Sequence, residues 1–352
     1  AGVSGTTSTF VNDVYASNLN ITGTGTVVLN SDLTGNVVTT GNQGILTTTG
    51  ATQTIAGNIG SAISSLNTLN IGSNTDATNY STTIINGNVF ANSTVLNNNG
   101  TTNSSELIMG SGKNITSTIT TADANMGILT LAGGTQIVTG QVGTNGNKLA
   151  EVNAGVAGSS TTFVNDVYAT NLDVEGTGTV NLDGNFTGTV VRYNADGTVI
   201  LADTKNIDSS VTTATNNTGT LSLEGSSTVI GQVGASGASL KEINAGVSGT
   251  TSTFANDVYA TNTNIGSGRV DFNTVSGITN TNIIFTDNGT ANLLNGLTGG
   301  INFAGKDATV NVSDGKGILG SVETLASNNT GIINYQGDGT ISGNIGSSSH
   351  GI

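Results

Sequence analysis

The 352-residue sequence contains no cysteine, no proline and no tryptophan, and only one histidine. Without cysteine, disulfides and thiolate metal sites are excluded. Without proline, no strand loses a backbone donor, and the turns must be made by glycine, asparagine and aspartate. Charged residues make up only 9% and aromatic residues only 4% of the chain. The chain instead combines Thr, Val and Ile, which favour strands, with Gly and Asn, which favour turns.

The few charges are mostly negative. Eight Lys and Arg residues stand against 22 Asp and Glu residues, giving a net charge of −14 at pH 7. This balance argues against a nucleic-acid partner and against anionic membrane surfaces. No segment approaches the ~18 apolar residues of a membrane-spanning helix, so we expect no membrane insertion by this chain. No signal peptide is visible, and both ends fall within repeats, which leads us to expect a fragment of a longer protein.

One segment occurs three times and is centred on Phe-x-Asn-Asp-Val-Tyr-Ala. Its copies are Phe10–Ala16, Phe163–Ala169 and Phe254–Ala260. A second segment, in which glycines flank short apolar runs, occurs four times. Its copies are 41–60, 124–143, 216–234 and 328–346. Internal repeats of this kind indicate a modular β-structure extended unit by unit, and they argue against a single catalytic pocket.

The repeats predict one elongated domain over residues 1–352. The repeat blocks are 1–60, 113–191, 205–274 and 317–352. Two diverged inserts, 61–112 and 273–316, interrupt them. We expect these inserts to protrude and to carry contact surfaces, because loops that depart from a scaffold often carry function.

Alternation within the strands assigns residues to the core. In the first copy we predict that Phe10, Val14 and Ala16 point inward and that Val11, Asp13 and Tyr15 point outward, since an unpaired buried carboxylate is costly. The same parity places further pairs inward: Leu19 and Ile21, Leu172 and Val174, Val27 and Leu29, Val180 and Leu182, and Val270 and Phe272. Val28, Asn181 and Asp271 lie between the members of these pairs and are predicted to point outward.

This rhythm of short strands and Gly/Asn turns predicts an all-β protein, a right-handed parallel β-helix (β-solenoid) with irregular inserts. Coils of about 22 residues would give ~16 coils, each strand pairing with its counterpart one coil away. A β-sandwich is the alternative, but it requires antiparallel hairpins.

The repeats resemble those of one known family. Gly-x-Leu-x-Leu-x-Gly, Ile-x-Gly-x-Ile/Val-Gly, Leu-x-x-Val/Ile-Asn-Ala-Gly-Val and Phe-x-Asn-Asp-Val-Tyr-Ala are similar to repeats in the passenger domains of rickettsial surface-cell-antigen autotransporters. The outer-membrane protein A and B branch is the most similar. The resemblance covers nearly the whole chain, although Gly/Asn/Thr repeats also converge, so a related secreted β-solenoid stays open.

The resemblance implies a type V secreted surface antigen, displayed on the exterior face of a bacterial outer membrane. Family members act as adhesins or as a surface coat, which implies a host-cell surface protein or extracellular matrix as partner. We therefore expect a non-catalytic adhesin or coat scaffold. The alternative is a self-assembling array or filament, formed by stacking β-helix ends. A polysaccharide-active enzyme is a third possibility.

We assign no catalytic, cofactor-binding or metal-binding residue. The single histidine, His350, has no neighbouring acid or cysteine in sequence, and we interpret it as a solvated residue. Asp173 and Glu175 form the best local carboxylate pair for glycan cleavage, yet only one repeat copy carries them, which favours a solvated face.

The repeated Asp13, Asp166 and Asp257 are candidate calcium ligands, but no calcium-loop motif surrounds them. We interpret them as turn residues that accept backbone N–H groups. The Gly-Thr-Gly-Thr-Val segments at 23–27 and 176–180 precede no predicted helix, so we expect no phosphate site there. No cofactor is expected.

Overall fold

The computed structural model describes residues 1–73, 80–98, 104–273, 279–325 and 329–352. Within these ranges every regular element is a β-strand, and parallel strands stack into a β-solenoid of about 15 turns. The all-β parallel β-helix prediction is confirmed. The sandwich alternative is wrong, since antiparallel bridges in the described residues are confined to two tight turns, Ser61 to Ser64 and Ala235 to Ala238.

The chain divides into two compact units. Unit 1 comprises Ala1–Leu182 with Phe186–Thr189, and unit 2 comprises Asp183–Asn185 with Val190–Ile352. The strands that lie within unit 1 are β1 Thr7–Phe10, β2 Asn18–Ile21, β3 Thr26–Leu29, β4 Asn36–Thr39, β5 Ile45–Thr48, β6 Thr52–Ile55, β7 Leu66–Ile71, β8 Thr82–Ile85, β9 Val89–Leu96, β10 Glu106–Met109, β11 Ile115–Thr121, β12 Met126–Leu131, β13 Thr135–Val138, β14 Leu149–Ala154, β15 Ser160–Phe163, β16 Val167–Val174 and β17 Thr179–Leu182. Every second strand pairs: β1-β3-β5-β7-β9-β11-β13-β15-β17 form one sheet, β6-β8-β10-β12-β14-β16 another, and β2-β4 a pair.

Strand β18, Phe186–Tyr193, belongs in part to each unit. The strands that follow in unit 2 are β19 Thr198–Leu201, β20 Asn206–Thr213, β21 Thr220–Leu223, β22 Thr228–Val229, β23 Leu240–Ala245, β24 Thr251–Phe254, β25 Val258–Ile265, β26 Arg269–Phe272, β27 Thr279–Phe285, β28 Thr290–Leu293, β29 Ile301–Asn302, β30 Thr309–Val312, β31 Lys316–Ile318, β32 Val322–Glu323, β33 Ile332–Tyr335 and β34 Gly339–Ile341. They continue the same alternation, with β19-β21-β23-β25-β27-β29-β32 in one sheet, β20-β22-β24-β26-β28-β30-β33 in another, and β31 paired with β34.

The core consists of like positions stacked one coil apart. Phe10 pairs with Leu29 after 19 residues, whereas Ile71 pairs with Leu96 after 25. Coil length therefore varies around the predicted value. In unit 2 the rings of Phe254 and Phe272 stack in parallel with centroids 5.5 Å apart. Each apolar side chain therefore packs on its counterpart in the next coil, as in a close-packed protein interior.

Most of the predicted inward positions are confirmed. The side chains buried as predicted are Phe163, Val167, Ala169, Phe254, Val258, Ala260, Leu19, Ile21, Leu172, Val174, Val27, Leu29, Val180, Leu182, Val270 and Phe272. In the first copy Phe10, Val14 and Ala16 are only half-buried.

Two details of the strand prediction are wrong. The Phe-x-Asn-Asp-Val-Tyr-Ala segment is not one strand: β15 ends at Phe163 and β16 begins at Val167, so Asn165 and Asp166 form a corner between two faces. Asp271, predicted to point outward, is only 8% exposed, because it lies among the neighbouring polar side chains described below.

The described parts of 61–112 and 273–316 are built as coils. Strands β7 and β9 lie in the first tract and pair with each other, and β28 and β30 lie in the second and pair likewise. The sequence has thus diverged there while strand pairing continues. Residues 74–79, 99–103 and 274–278 of these tracts, for which protrusion was also expected, lie outside the described residues.

The corners are held by side-chain oxygens that accept the backbone N–H of the next coil. In unit 1 the side-chain oxygen Oδ1 of Asn36 accepts the backbone N–H of Asn58 at 2.9 Å, and the Oδ1 of Asn58 accepts the backbone N–H of Asn88 at 2.8 Å. The Oδ1 of Asn88 likewise accepts the backbone N–H of Asn114 at 2.9 Å, and the Oδ1 of Asn114 accepts that of Ile137 at 2.8 Å. We call Asn36, Asn58, Asn88 and Asn114 the corner ladder. It satisfies donors that the strand pairing leaves at each bend.

A second recurring device is an Asn-x-Gly turn with left-handed backbone at both residues. It occurs at Asn42 and Gly44, Asn125 and Gly127, Asn217 and Gly219, and Asn329 and Gly331. Asn and Gly are the residues that tolerate this conformation. At Gly219 (φ +86°) a Cβ would lie 2.6 Å from the ring of buried Tyr193, whereas nothing lies within 4 Å of such an atom at Gly237 (φ +82°).

These two glycines separate backbone strain from steric exclusion. Gly237→Ala is expected to destabilise the protein by about 1 kcal/mol through its left-handed backbone alone. Gly219→Ala adds a clash with the Tyr193 ring and is expected to cost about 3 kcal/mol. Urea unfolding followed by circular dichroism measures both. Equal costs for the two variants would contradict the packing of Gly219 on Tyr193.

The corner ladder has its own test. Asn58→Ala removes the acceptor for the Asn88 N–H and is expected to lower stability by about 1 kcal/mol. Asn58→Asp keeps an oxygen there, as Asp32 does naturally when it accepts the Thr54 N–H at 2.7 Å, and is expected to retain most of the wild-type stability. If alanine and aspartate had the same effect on the urea midpoint, the side-chain oxygen would not hold the corner.

Candidate functional site

A row of one carboxylate and three amide side chains runs across strands β26, β28, β30 and β33 of unit 2. Asp271, Asn292, Asn311 and Asn334 occupy successive paired positions. The Nδ2 of Asn292 donates to the Oδ1 of Asp271 at 2.5 Å, that of Asn311 to the Oδ1 of Asn292 at 2.7 Å, and that of Asn334 to the Oδ1 of Asn311 at 3.1 Å. We call these four residues the amide ladder.

The ladder begins at a charge pair. The Nε of Arg269 donates to the Oδ1 of Asp271 at 2.6 Å, and the Asp271 side chain is 12% exposed while that of Arg269 is 55% exposed. Arginine therefore compensates the covered carboxylate from the solvent side. Since the Oδ1 of Asp271 also accepts from Asn292, the whole row of amides is oriented in one direction.

A shallow groove of about 330 Å³ lies beside this row. It is lined by Arg269, Asn292, Asn311, Ser313 and Gln336, together with the apolar Leu294. The Leu294 side chain is 44% exposed. Asn292 and Asn311 each use one N–H and one lone pair along the row, and Asn334 uses one N–H. Each amide therefore has further hydrogen-bonding capacity. Such a surface is suited to hydrogen-bonding an uncharged polar ligand alongside an apolar contact.

The carboxylate pair proposed from the sequence does not form a site. Asp173 is 1% exposed within β16, in register with Asn153, whereas Glu175 is exposed and follows the end of that strand. The prediction of a solvated face is wrong for Asp173. A glycosidase needs two carboxyl groups facing one space, and these two lie in opposite environments.

His350 belongs to a tight turn. The Ser347 N–H donates to the His350 carbonyl at 2.8 Å, as Ala235 does to Ala238 and Thr144 to Asn147. The Nδ1 of His350 lies 3.0 Å from the hydroxyl of Ser349. Because the same turn forms at two other places without histidine, the turn does not depend on the His350 side chain. Within the described residues there is no cluster of three His, Asp or Glu side chains that could hold a metal ion.

The repeated aspartates occupy corners. Asp13 accepts hydrogen bonds from the Ser31 hydroxyl, the Asp32 N–H and the Tyr15 hydroxyl. These bonds, that of Ser31 most of all, hold the pKa of Asp13 below its ordinary value. In the second copy the Tyr168 hydroxyl donates to Asp166 at 3.4 Å. The interpretation as a backbone-bonding turn residue agrees with the geometry at Asp13.

Sequence reasoning missed the amide ladder. Its successive members lie 19 to 23 positions apart, and two of them, Asn292 and Asn311, fall in the tract 273–316 whose repeats have diverged. A search for asparagines at equal strand parity and one coil length apart is the signal that could have found them. The Gly-Thr-Gly segments, by contrast, lead into strands β3 and β17, as expected for turns.

The calcium question has a direct test. Because Asp13 is already engaged by three donors, we expect about 5 mM CaCl2 to leave the thermal midpoint unchanged, as it does for a protein without a calcium site. Asp13→Asn keeps a hydrogen-bond acceptor and is expected to behave alike with and without calcium. A calcium-dependent rise that Asp13→Asn abolishes would contradict this assignment.

Comparison with known proteins found no matching family model, no matching curated protein and no matching solved structure. The described residues also contain no helix with the length and apolarity of a membrane span. The assignment of function therefore depends on the chain's own chemistry.

Proposed function

We propose that this protein is a non-catalytic, surface-displayed scaffold of the adhesin type, and that the amide ladder with its groove is a contact surface. The observation that carries the proposal is the continuous row of hydrogen-bonded side chains from Asp271 to Asn334, which repeats at the spacing of the strands. Location on the exterior of a bacterial outer membrane, as an autotransporter passenger, is supported by the resemblance of the repeats.

The chemistry favours recognition by hydrogen bonds. The net charge of −14 disfavours anionic partners. The three asparagines of the ladder, by contrast, are uncharged hydrogen-bonding groups. Amide groups repeated at about 4.8 Å instead match a partner with repeated polar groups, such as an extended peptide or a glycan. A host-cell surface protein or a matrix component provides such groups.

A non-catalytic role is supported by how the carboxylates are used. Asp32, Asp203 and Asp314 each accept a backbone N–H from the next coil, and Asp271 is paired with Arg269. Groups engaged in this way stabilise corners and strands. A general acid or base instead needs a proton-transfer partner within reach.

The experiment blocks the groove without disturbing the coil. Leu294→Arg places a long cation in the groove, and we expect binding of the purified chain to cultured cells or immobilised matrix to fall about tenfold or more. The matched control is Ile230→Arg. Ile230 is 43% exposed, against 44% for Leu294, and it does not line the groove.

Binding is measured as a titration, with circular dichroism to show that both variants are folded. Equal binding by Leu294→Arg and Ile230→Arg would contradict the groove as the contact surface. Absence of binding by the wild-type chain to cells and to matrix components would contradict the adhesin role itself. Substitution is preferable to deletion of 61–112, since that deletion would remove paired strands from unit 1.

A further inference from the structure

Asparagine followed by glycine occurs four times among the described residues, with the asparagines at Asn86, Asn145, Asn288 and Asn295. In such a pair the backbone nitrogen of the glycine can attack the side-chain amide of the asparagine, because no Cβ on the glycine obstructs the approach. The attack also requires the two residues to change their backbone conformation. The packing of each glycine therefore decides whether the pair can react in the folded chain.

The glycines of three pairs are buried between stacked coils. A Cβ added to any of them would collide with a backbone carbonyl oxygen of an adjacent coil; these glycines are Gly87, Gly289 and Gly296. At Asn288 the reacting groups are engaged as well. Its Oδ1 accepts the Asp307 N–H at 3.0 Å, and the Gly289 N–H donates to the Asp287 carbonyl at 2.9 Å. These pairs are held in place by the coil stack.

The pair of Asn145 and Gly146 lies instead at the exposed tip of a tight turn in unit 1. The Thr144 N–H donates to the Asn147 carbonyl at 3.0 Å, and the Asn147 N–H donates to the Thr144 hydroxyl oxygen at 3.0 Å. Nothing lies within 4 Å of a Cβ placed on Gly146. Neither the Asn145 side chain nor the Gly146 N–H forms a hydrogen bond with any residue that the structure describes. The turn is thus fixed at its ends and free at its tip.

The fold does not require asparagine at this tip. Segment 141–156 aligns without gaps with 232–247, where Ser236 stands in place of Asn145. The turn of that second segment closes in the same way, since the Ala235 N–H donates to the Ala238 carbonyl at 3.0 Å. A change of the side chain at position 145 is therefore compatible with the coil.

We propose that Asn145 is a site of spontaneous deamidation. The Gly146 nitrogen, on losing its proton, attacks Cγ of Asn145. A C–N bond forms between them, the C–N bond to Nδ2 breaks, and Nδ2 leaves as ammonia with the proton. The product is a five-membered succinimide. Water then adds to one of the two ring carbonyls and opens the ring, which gives aspartate or isoaspartate at position 145. Water is the only co-reactant.

The modification changes the surface of unit 1 and leaves its coils in place. Each event replaces a neutral amide by a carboxylate, in a chain whose net charge is already −14. Isoaspartate also routes the main chain through the Cβ of residue 145, which lengthens the tip. Because the tip makes no hydrogen bond to the coils, copies of the protein differ in charge according to their age while the stack of strands persists.

Peptide mapping by mass spectrometry, after storage of the 352-residue chain at mildly alkaline pH, tests the proposal. We expect Asn145 to convert about tenfold or more faster than Asn86 and Asn288, because these two can react only when their coils open. In urea, where the coils are unfolded, the three asparagines are expected to convert at similar rates. Equal rates in the folded chain, or no conversion at Asn145, would overturn the proposal.

Two variants test the chemical route, with circular dichroism to show that both are folded. Gly146→Ala fits the open space at the tip and is expected to slow conversion of Asn145 about tenfold, since its Cβ obstructs the attack. Asn145→Ser introduces the residue of the second turn, and its ion-exchange profile is expected to stay constant at times when the wild-type chain has gained an acidic form. Conversion of Gly146→Ala at the wild-type rate, or the same acidic form in Asn145→Ser, would contradict the route through a succinimide at this pair.

Discussion

The backbone N–H groups at the corners of the solenoid impose the constraint on which the rest of the structure depends. Along a face, each donor meets a carbonyl one coil away, but at a corner the chain turns and that pairing is interrupted. A donor left without an acceptor costs roughly as much as a lost hydrogen bond. Side-chain oxygens of Asn and Asp satisfy these donors, coil after coil, as at Asn58, Asn88 and Asp203. The recurrence of Asn and Asp one coil apart follows from this requirement.

The same chemistry produces both the structural ladder and the candidate contact surface. In unit 1 the oxygens of Asn36 and Asn58 accept backbone donors at a corner. In unit 2 the side chains of Asn292 and Asn311 bond each other along a face. Asparagine thus serves backbone donors at the corners of unit 1 and neighbouring amides along a face of unit 2, where we propose a contact surface. Stacking fixes the spacing, and sequence divergence at 273–316 supplies the groove beside it.

Much of the core was predictable, because alternation within a strand depends only on neighbouring residues. That logic placed Phe163, Val180 and Phe254 inward, where they are buried. It failed at Asp173 and Asp271, which are covered although their sequence neighbours offer no reason for burial. The side chain one coil away decides such cases. Coil length varies among the described strands, for example from 18 residues between Thr251 and Arg269 to 30 between Thr52 and Thr82. Register between coils, and with it the amide ladder, therefore cannot be derived from alternation alone.

Amide hydrogen exchange of the corner donors tests the role of the corner ladder most directly. If side-chain oxygens hold the corners, the amides of Asn88 and Asn114 will exchange as slowly as the strand amides of β9, because opening a corner then requires opening the coil. Exchange of these corner amides at the rate of open loops, while β9 remains protected, would contradict it.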